Sequence, residues 1–302
     1  MLGGSASELT TATRVDEERG IQVDAEFFGE PGGRMLGLLH RPIDGEPRAG
    51  VLICPSLHAE LMVNYRREVL LANALAELGY AAQRFHYRGS GNSEGRDEDL
   101  SLDTMGADAH RWARRLVDRG VDRLGVFGVR FGALVGAGVA RQFPAAPLAL
   151  WQPTVTGDRY FREVLRTQLM REMKGGSSSR PAGSSLTDEL DRASTIDVLG
   201  YSIHRTLHAS AEGSSLVDEL GPAPRPVLVV QISRETDLSA ELAGIVAAWR
   251  AAGGEVRTHL VSKEPGWWFV GEDWKAEEER DETHVLLDTT VNWLAGELGG
   301  PR

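Results

Sequence analysis

The chain has little cysteine, no long apolar run and no cluster of basic residues. Its single cysteine, Cys54, excludes an internal disulfide and any metal site built from several cysteines. No apolar run reaches the ~18 residues that a membrane-spanning helix needs, and the first twenty residues contain no apolar core of signal-peptide length. Together these absences predict a cytoplasmic protein.

The charge and length limit the partners and the architecture. A formal net charge of -11, with no run of lysine or arginine, argues against a nucleic-acid partner. The 302 residues, of which 41% are hydrophobic, are enough to bury a full core. We expect one large domain that carries an insertion.

Strands and helices alternate along most of the chain. After a polar tail over residues 1–20, the stretches IQVDAEFF and RMLGLLHRPI predict a hairpin. From residue 49 onward, short apolar runs alternate with helical stretches, which is typical of parallel strands covered by helices on both faces. We therefore predict an α/β fold with a mixed, mostly parallel sheet of eight strands, built from residues 21–156 and 225–302.

Residues 157–224 interrupt this alternation. The segment begins with the helical stretch RYFREVLRTQLMREM and continues into a tract rich in glycine and serine at 174–186, which we expect to be mobile. Because it follows a strand that ends at the carboxyl edge of the sheet, the segment predicts a cap over that edge.

The stretch GVRFG, residues 128–132, matches the G-x-S-x-G turn of serine hydrolases except at its centre. An apolar strand precedes it and a helix of small residues follows, as that turn requires. Gly128 and Gly132 fit because the sharp turn brings backbone against backbone. Arg130 stands where a nucleophilic serine would stand.

With these motifs the chain resembles the α/β-hydrolase superfamily, and within it the exosortase A system-associated hydrolases of the second type. The similarity runs from about residue 48 to the end and includes GVRFGALVGAGVA, LWQPTVTGDRYFREVLRTQLMREM and DVLGYSI. Members of that group also carry arginine at the tip of the turn. The resemblance implies an α/β-hydrolase fold and the loss of serine chemistry.

The other members of a catalytic triad are also hard to place. Arg130 offers only hydrogen-bond donors and cannot be a nucleophile. Glu235 follows the seventh strand at the position of the usual acid, with Asp237 two residues on, although a solvated loop explains both equally well. Where the resemblance implies a histidine base, the sequence has Trp267 and Trp268.

Two side chains could replace the lost nucleophile. Cys54 and Ser56 lie in ICPSLHAE, a loop that supplies an oxyanion-hole N–H in such folds. A cysteine at a strand end is commonly a small buried hydrophobe. A nearby cation such as Arg130 would instead lower the pKa of its thiol. Both readings stay open.

Arg130 and the helix that follows it create a region of positive potential. Free N–H groups at the helix start favour an anion, and a desolvated guanidinium requires one. That anion is either a ligand's carboxylate or phosphate or one of the protein's own carboxylates. The two parallel N–H donors of the guanidinium would bind both oxygens of a carboxylate, a fork-to-fork geometry. The internal candidates are Glu60, Glu235 and Asp237.

Loops at the same edge of the sheet supply the remaining candidate contacts, since such folds bind ligands there. Tryptophans in these loops line a pocket or, as the alternative, belong to the core. The substrate-binding residues that we expect are Arg130, Phe131, Ser56, Leu57, Glu60, Trp151, Trp267 and Trp268.

Three functions fit these features. The first is a small-molecule enzyme without a covalent intermediate, in which Arg130 holds an acyl or carboxylate metabolite and Glu235, Asp237 or His58 moves a proton. The second is a non-catalytic ligand-binding or scaffold protein. The third is a hydrolase that has recruited Cys54 or Ser56. All three predict a small anionic or acyl ligand and no cofactor or metal, and they leave a homodimer open.

Arg130→Ser tests whether the missing serine is the only defect of the triad. We expect no hydrolysis of p-nitrophenyl acetate above the wild-type level, because the sequence also lacks the histidine base at its expected place. Measurable ester hydrolysis by this variant would show that a base lies elsewhere in the chain.

Overall fold

A computed structural model describes residues 11–175, 186–222, 225–262 and 281–299 of the chain. Within these residues nine strands form one sheet, in the order β1-β2-β3-β5-β4-β6-β7-β10-β11. The strands are β1 (Thr11–Asp16), β2 (Ile21–Phe28), β3 (Met35–Pro42), β4 (Ala49–Cys54), β5 (Ala81–Phe85), β6 (Arg123–Val129), β7 (Leu148–Trp151), β10 (Pro226–Ile232) and β11 (Glu255–Val261).

The sheet is mixed and mostly parallel, as the sequence predicts. The first three strands and β5 pair antiparallel, whereas the pairs from β5 through β4, β6, β7 and β10 to β11 are parallel. The sheet has one strand more than predicted. Residues 11–16, which we expected to be tail, pair with β2 as an edge strand, and their side chains are mostly exposed.

Helices cover both faces of the sheet. On one face lie α2 (Leu102–Asp118), α3 (Gly132–Gln142) and α8 (Ala240–Ala251). On the other lie α1 (His58–Glu77) and α9 (Asp281–Leu298). Side chains of a strand alternate between the two faces, so β7 contributes Leu148 and Leu150 to one core and Ala149 and Trp151 to the other.

The predicted insertion folds as helices around a small hairpin. It contains α4 (Gly157–Gly175), α5 (Leu186–Ala193), β8 (Thr195–Val198), β9 (Tyr201–His204), α6 (Arg205–Ala211) and α7 (Leu216–Leu220). It touches the loops that follow β4, β5 and β6, through Tyr201 beside His58, Ser202 on Asp97, and Glu163 on Arg130. Most of the predicted mobile tract, residues 176–185, lies outside the described residues.

The turn between β6 and α3 has the close approach that its glycines predict. A Cβ added to Gly132 would lie 2.3 Å from the carbonyl oxygen of Cys54 and 2.4 Å from that of Pro55. A Cβ on Gly128 would lie 2.7 Å from the carbonyl oxygen of Gly132. These neighbours are backbone atoms of the core, so they cannot move aside cheaply.

Gly132→Ala tests this packing, with Gly106→Ala as its matched control in α2. We expect Gly132→Ala to lower the free energy of unfolding by about 2 kcal/mol or more, because the methyl group meets two carbonyl oxygens. A Cβ at Gly106 meets nothing within 4 Å, so that substitution should stabilise the helix by up to about 1 kcal/mol. Urea unfolding of both variants measures the difference, and equal midpoints would contradict the tight turn.

Candidate functional site

Arg130 lies at the tip of the turn between β6 and α3 in a strained backbone conformation. Its φ is +52°, in the left-handed region that non-glycine residues rarely adopt. Three backbone hydrogen bonds of 3.1 Å hold it there: its N–H donates to the Trp151 carbonyl, and its own carbonyl accepts from the N–H groups of Ala133 and Thr154. The turn between β6 and α3 therefore fixes the backbone of Arg130 in a left-handed conformation at its tip.

The guanidinium of Arg130 points into the protein, where two carboxylates hold it. Its Nε and one terminal nitrogen each donate to Glu60 Oε1 at 3.2 Å, and the same terminal nitrogen donates to Glu163 Oε2 at 2.7 Å. The other terminal nitrogen donates to the Gln152 carbonyl at 3.4 Å. Arg130 is 3% exposed and Glu60 1%. We call Arg130, Glu60 and Glu163 the ion cluster.

The ion cluster continues across the insertion. Glu163 Oε1 accepts from Arg159 Nε at 2.8 Å, one helical turn away on α4, and Arg159 also pairs with Glu241 at the start of α8. Charged groups therefore connect the tip of the turn, the insertion and a helix of the core. A buried cation of this kind requires such partners because desolvation is costly.

The two carboxylates of the ion cluster titrate differently. Burial raises the pKa of Glu60 to about 7, although the neighbouring Arg130 favours its charged form. Burial also acts to raise the pKa of Glu163, but the ion pairs with Arg130 and Arg159 outweigh it and lower that pKa. The Glu60 Oε2 atom has no hydrogen-bond partner among the described residues. Glu163 is thus the more firmly ionised partner.

Of the three internal candidates for the partner of Arg130, the structure brings Glu60 to the guanidinium but not Glu235 or Asp237. Glu235 and Asp237 are exposed in the loop after β10, whereas Glu60 and Glu163 approach the guanidinium. The fork-to-fork geometry is also wrong for Glu60, since one of its oxygens accepts both donors. Glu163 was missed because it lies in the insertion, and its only sequence signal is its spacing of four from Arg159.

The predicted ligand-contacting residues near the turn are mostly core. Trp151 points away from the ion cluster to the α9 face, where its indole N–H donates to Thr290 at 2.7 Å. Phe131 is buried against Tyr160 and Phe161, with ring centroids 4.8 and 6.3 Å away. Leu57 is also buried. Trp267 and Trp268 lie outside the described residues.

The environments of Cys54 and Ser56 do not favour nucleophilic attack. Burial, and to a lesser extent the charge of Glu68, raises the pKa of the Cys54 thiol, contrary to the lowering expected from Arg130. A thiolate at neutral pH is therefore disfavoured. Ser56 is fully buried, and its hydroxyl accepts a hydrogen bond from Asn64 at 3.4 Å.

His58 belongs to a separate cavity of about 220 Å³ between the core and the insertion. Burial lowers its pKa to about 4, although Asp97 opposes the shift, so the imidazole is neutral at neutral pH. Its Nδ1 is buried with no hydrogen-bond partner among the described residues. We call this space the His58 cavity. It is lined by His58, Leu61, Met62, Gly89, Ser90, Gly91, Asp97, Leu100, Tyr201, Ser202, His204 and Leu207.

None of the helices described is long and apolar enough to cross a membrane. Histidine, cysteine, aspartate and glutamate do not form a group of three or more that could hold a metal ion within the described ranges.

Comparison with known sequences gives a partial match. No family model matches the chain. The uncharacterised protein Rv2307c of Mycobacterium tuberculosis is 32% identical over 130 residues, which cover 41% of this chain and 43% of that protein. The match thus spans less than half the length of this curated relative.

Solved structures resemble this chain over nearly its whole length. Est1E from Butyrivibrio proteoclasticus, bound to ferulic acid, has a TM-score of 0.63 at 15% identity and covers 90% of this chain and 99% of its own. An α/β-hydrolase from Vibrio vulnificus has a TM-score of 0.55 at 18% identity over 93% of this chain and 82% of its own. For proline iminopeptidase from Mycobacterium smegmatis the values are 0.55 and 18%, over 90% and 98%. The chain has the α/β-hydrolase fold.

Proposed function

We propose that this protein binds a small, neutral acyl compound in the His58 cavity and does not hydrolyse it. The observation that carries the proposal is the ion cluster, which fills the position where a serine hydrolase presents its nucleophile. The proposal corresponds to the ligand-binding alternative from the sequence, with the ligand site moved away from Arg130.

The ion cluster argues against capture of a substrate by Arg130. A ligand carboxylate would have to displace Glu60 or Glu163 from a guanidinium that is already buried and paired. The space beside the guanidinium is about 80 Å³, against about 220 Å³ for the His58 cavity. Leaving either carboxylate buried without its cation would add a desolvation cost.

The lining of the His58 cavity favours a neutral ligand over an anionic one. Among the described residues that line it there is no arginine or lysine, and the acidic residue is Asp97. Four leucine and methionine side chains supply apolar surface, namely Leu61, Met62, Leu100 and Leu207. Neutral His58 and the hydroxyl groups of Tyr201 and Ser90 can hydrogen-bond a carbonyl or amide group.

One observation favours an enzyme as the second candidate. The pKa of Glu60 near 7 suits a group that exchanges a proton at neutral pH. In that case Glu60 would act on a carbonyl compound admitted by movement of α4, without a covalent intermediate. Such an enzyme would lose turnover in Glu60→Gln and keep it in Ser56→Ala.

Binding and hydrolysis of one acyl group can be measured side by side. We expect hexanamide to bind the wild-type protein in calorimetry, and p-nitrophenyl hexanoate not to be hydrolysed above the buffer rate. Ser90→Leu should weaken the binding of hexanamide at least tenfold because the leucine side chain would occupy part of the His58 cavity. Thr236→Leu, in an exposed loop, is the matched control and should bind normally. Hydrolysis with labelling by a fluorophosphonate would refute the proposal, as would equal binding by both variants.

Glu163→Gln and Glu235→Gln distinguish the observed partner of Arg130 from the one predicted by sequence. We expect Glu163→Gln to lower the free energy of unfolding by about 2 kcal/mol at pH 7, less than for a fully buried pair because Glu163 is partly exposed. Glu235→Gln should leave the urea midpoint nearly unchanged.

The pH dependence of this difference has a definite sign. The pKa of Glu163 is lowered in the folded state, so its stabilising effect is present above its ordinary value of 4.5 and is lost as the pH falls below it. The difference between wild type and Glu163→Gln should therefore shrink towards pH 3. A difference that grows as the pH falls would contradict the ion pair.

A further inference from the structure

A second recess lies between the first three strands and α1. It measures about 550 Å³ and shares no lining residue with the His58 cavity. We call it the hairpin groove. Its walls are formed by side chains of β1, β2 and β3 on one side and of α1 on the other, with Arg84 at the end of β5.

The charge of the hairpin groove is opposite to that of the chain. Its lining includes Arg14, Arg19, Arg66 and Arg84 against the single acid Asp16, a local excess of three positive charges. The whole chain carries -11. Arg19 is partly compensated from outside the lining by Glu77, at 3.2 Å. A positive recess in an acidic protein attracts anions selectively.

Arg84 is a buried cation of the groove that a ligand anion can contact. The residue is 3% exposed, its guanidinium carbon lies 4.4 Å from the centroid of the Tyr65 ring, and its Nε has no hydrogen-bond partner among the described residues. Stacking on a ring uses the face of a guanidinium and leaves its N–H edge for acceptors. The carboxylate of Glu68 is close enough to interact electrostatically with Arg84.

His40 adds a neutral polar atom to the same lining. Its Nδ1 lies 2.8 Å from Asn73 Oδ1, an acceptor, so the ring proton resides on Nδ1 and Nε2 carries a lone pair. Burial and the charge of Arg84 lower the pKa of His40 to about 4. The buried Nε2 has no partner among the described residues, which leaves it available to a ligand hydroxyl or protonated oxygen.

Much of the remaining lining is apolar. It includes Val23, Ala25, Leu38 and Val69. The groove therefore combines a buried cation, a neutral acceptor and an apolar wall, within the volume range of small-molecule sites. None of these residues takes part in the ion cluster.

We propose that the hairpin groove is a second ligand site, which binds a small organic oxyanion with an apolar or aromatic body and anchors its phosphate or carboxylate on Arg84. Arginine suits both groups because its parallel N–H donors match two oxygens. The four arginines of the lining favour the phosphate, which carries the larger charge. The site is independent of the proposed function and remains if the His58 cavity proves empty.

Calorimetric titration with phenyl phosphate and with phenylacetate tests the site and separates its two ligand types. We expect both to bind the full-length protein, phenyl phosphate more tightly, with affinity that falls as sodium chloride rises. Tighter binding of phenylacetate would instead identify a carboxylate as the natural group. Failure of both probes to bind at millimolar concentration would overturn the proposal.

Three variants locate the bound probe. Arg84→Lys keeps the buried charge but loses the parallel N–H donors of the guanidinium. It should weaken the binding of phenyl phosphate at least tenfold. Ala25→Phe adds bulk inside the groove and should abolish binding without removing a charge, so it answers the question even if Arg84→Lys unfolds. Arg48→Gln, an exposed arginine outside the groove, is the control and should bind as wild type. Unchanged affinity in Ala25→Phe would place the probe elsewhere and refute the site.

Discussion

The requirement that a desolvated guanidinium be neutralised organises the carboxyl edge of this sheet. The turn after β6 places Arg130 at the start of α3, in a left-handed conformation, with its charge directed inward. Burial at that point would be prohibitive without anions. Glu60 from α1 and Glu163 from α4 supply them, and Arg159 extends the network to α8. The insertion is thus tied to the core by Arg130 at the tip of the turn after β6.

The same burial controls the protonation of the surrounding groups. Cys54 and Glu60 have raised pKa values, and the pKa values of His40 and His58 are lowered to about 4, each mainly through desolvation. The imidazoles of His40 and His58, which line the two recesses, are therefore neutral at neutral pH. The contrast between the two recesses follows from their cations: the His58 cavity has none in its lining, whereas the hairpin groove has Arg84 at its base. A neutral acyl ligand suits the first and an oxyanion suits the second.

Local sequence patterns predicted the architecture well because the relevant signals are local. Alternating strands and helices gave the parallel sheet, and Gly128 and Gly132 marked the turn whose backbone contacts the structure confirms. The edge strand at 11–16 was missed because its polar side chains resemble those of a solvated tail. Trp151 was placed in the site because the end of a strand can face either side, and only the packing of α9 shows which.

The sequence by itself predicted that Arg130 stands at the tip of the turn after β6 and that an anion must accompany it, since the first follows from the GVRFG motif and the second from the chemistry of a guanidinium. Only the tertiary structure decided which anion. Glu163 is 33 residues from Arg130 along the chain, and no local pattern encodes a contact between separate elements. The hairpin groove is also a tertiary property, because its arginines come from β1, β5, α1 and the turn between β1 and β2, which become neighbours only when the sheet and α1 pack together.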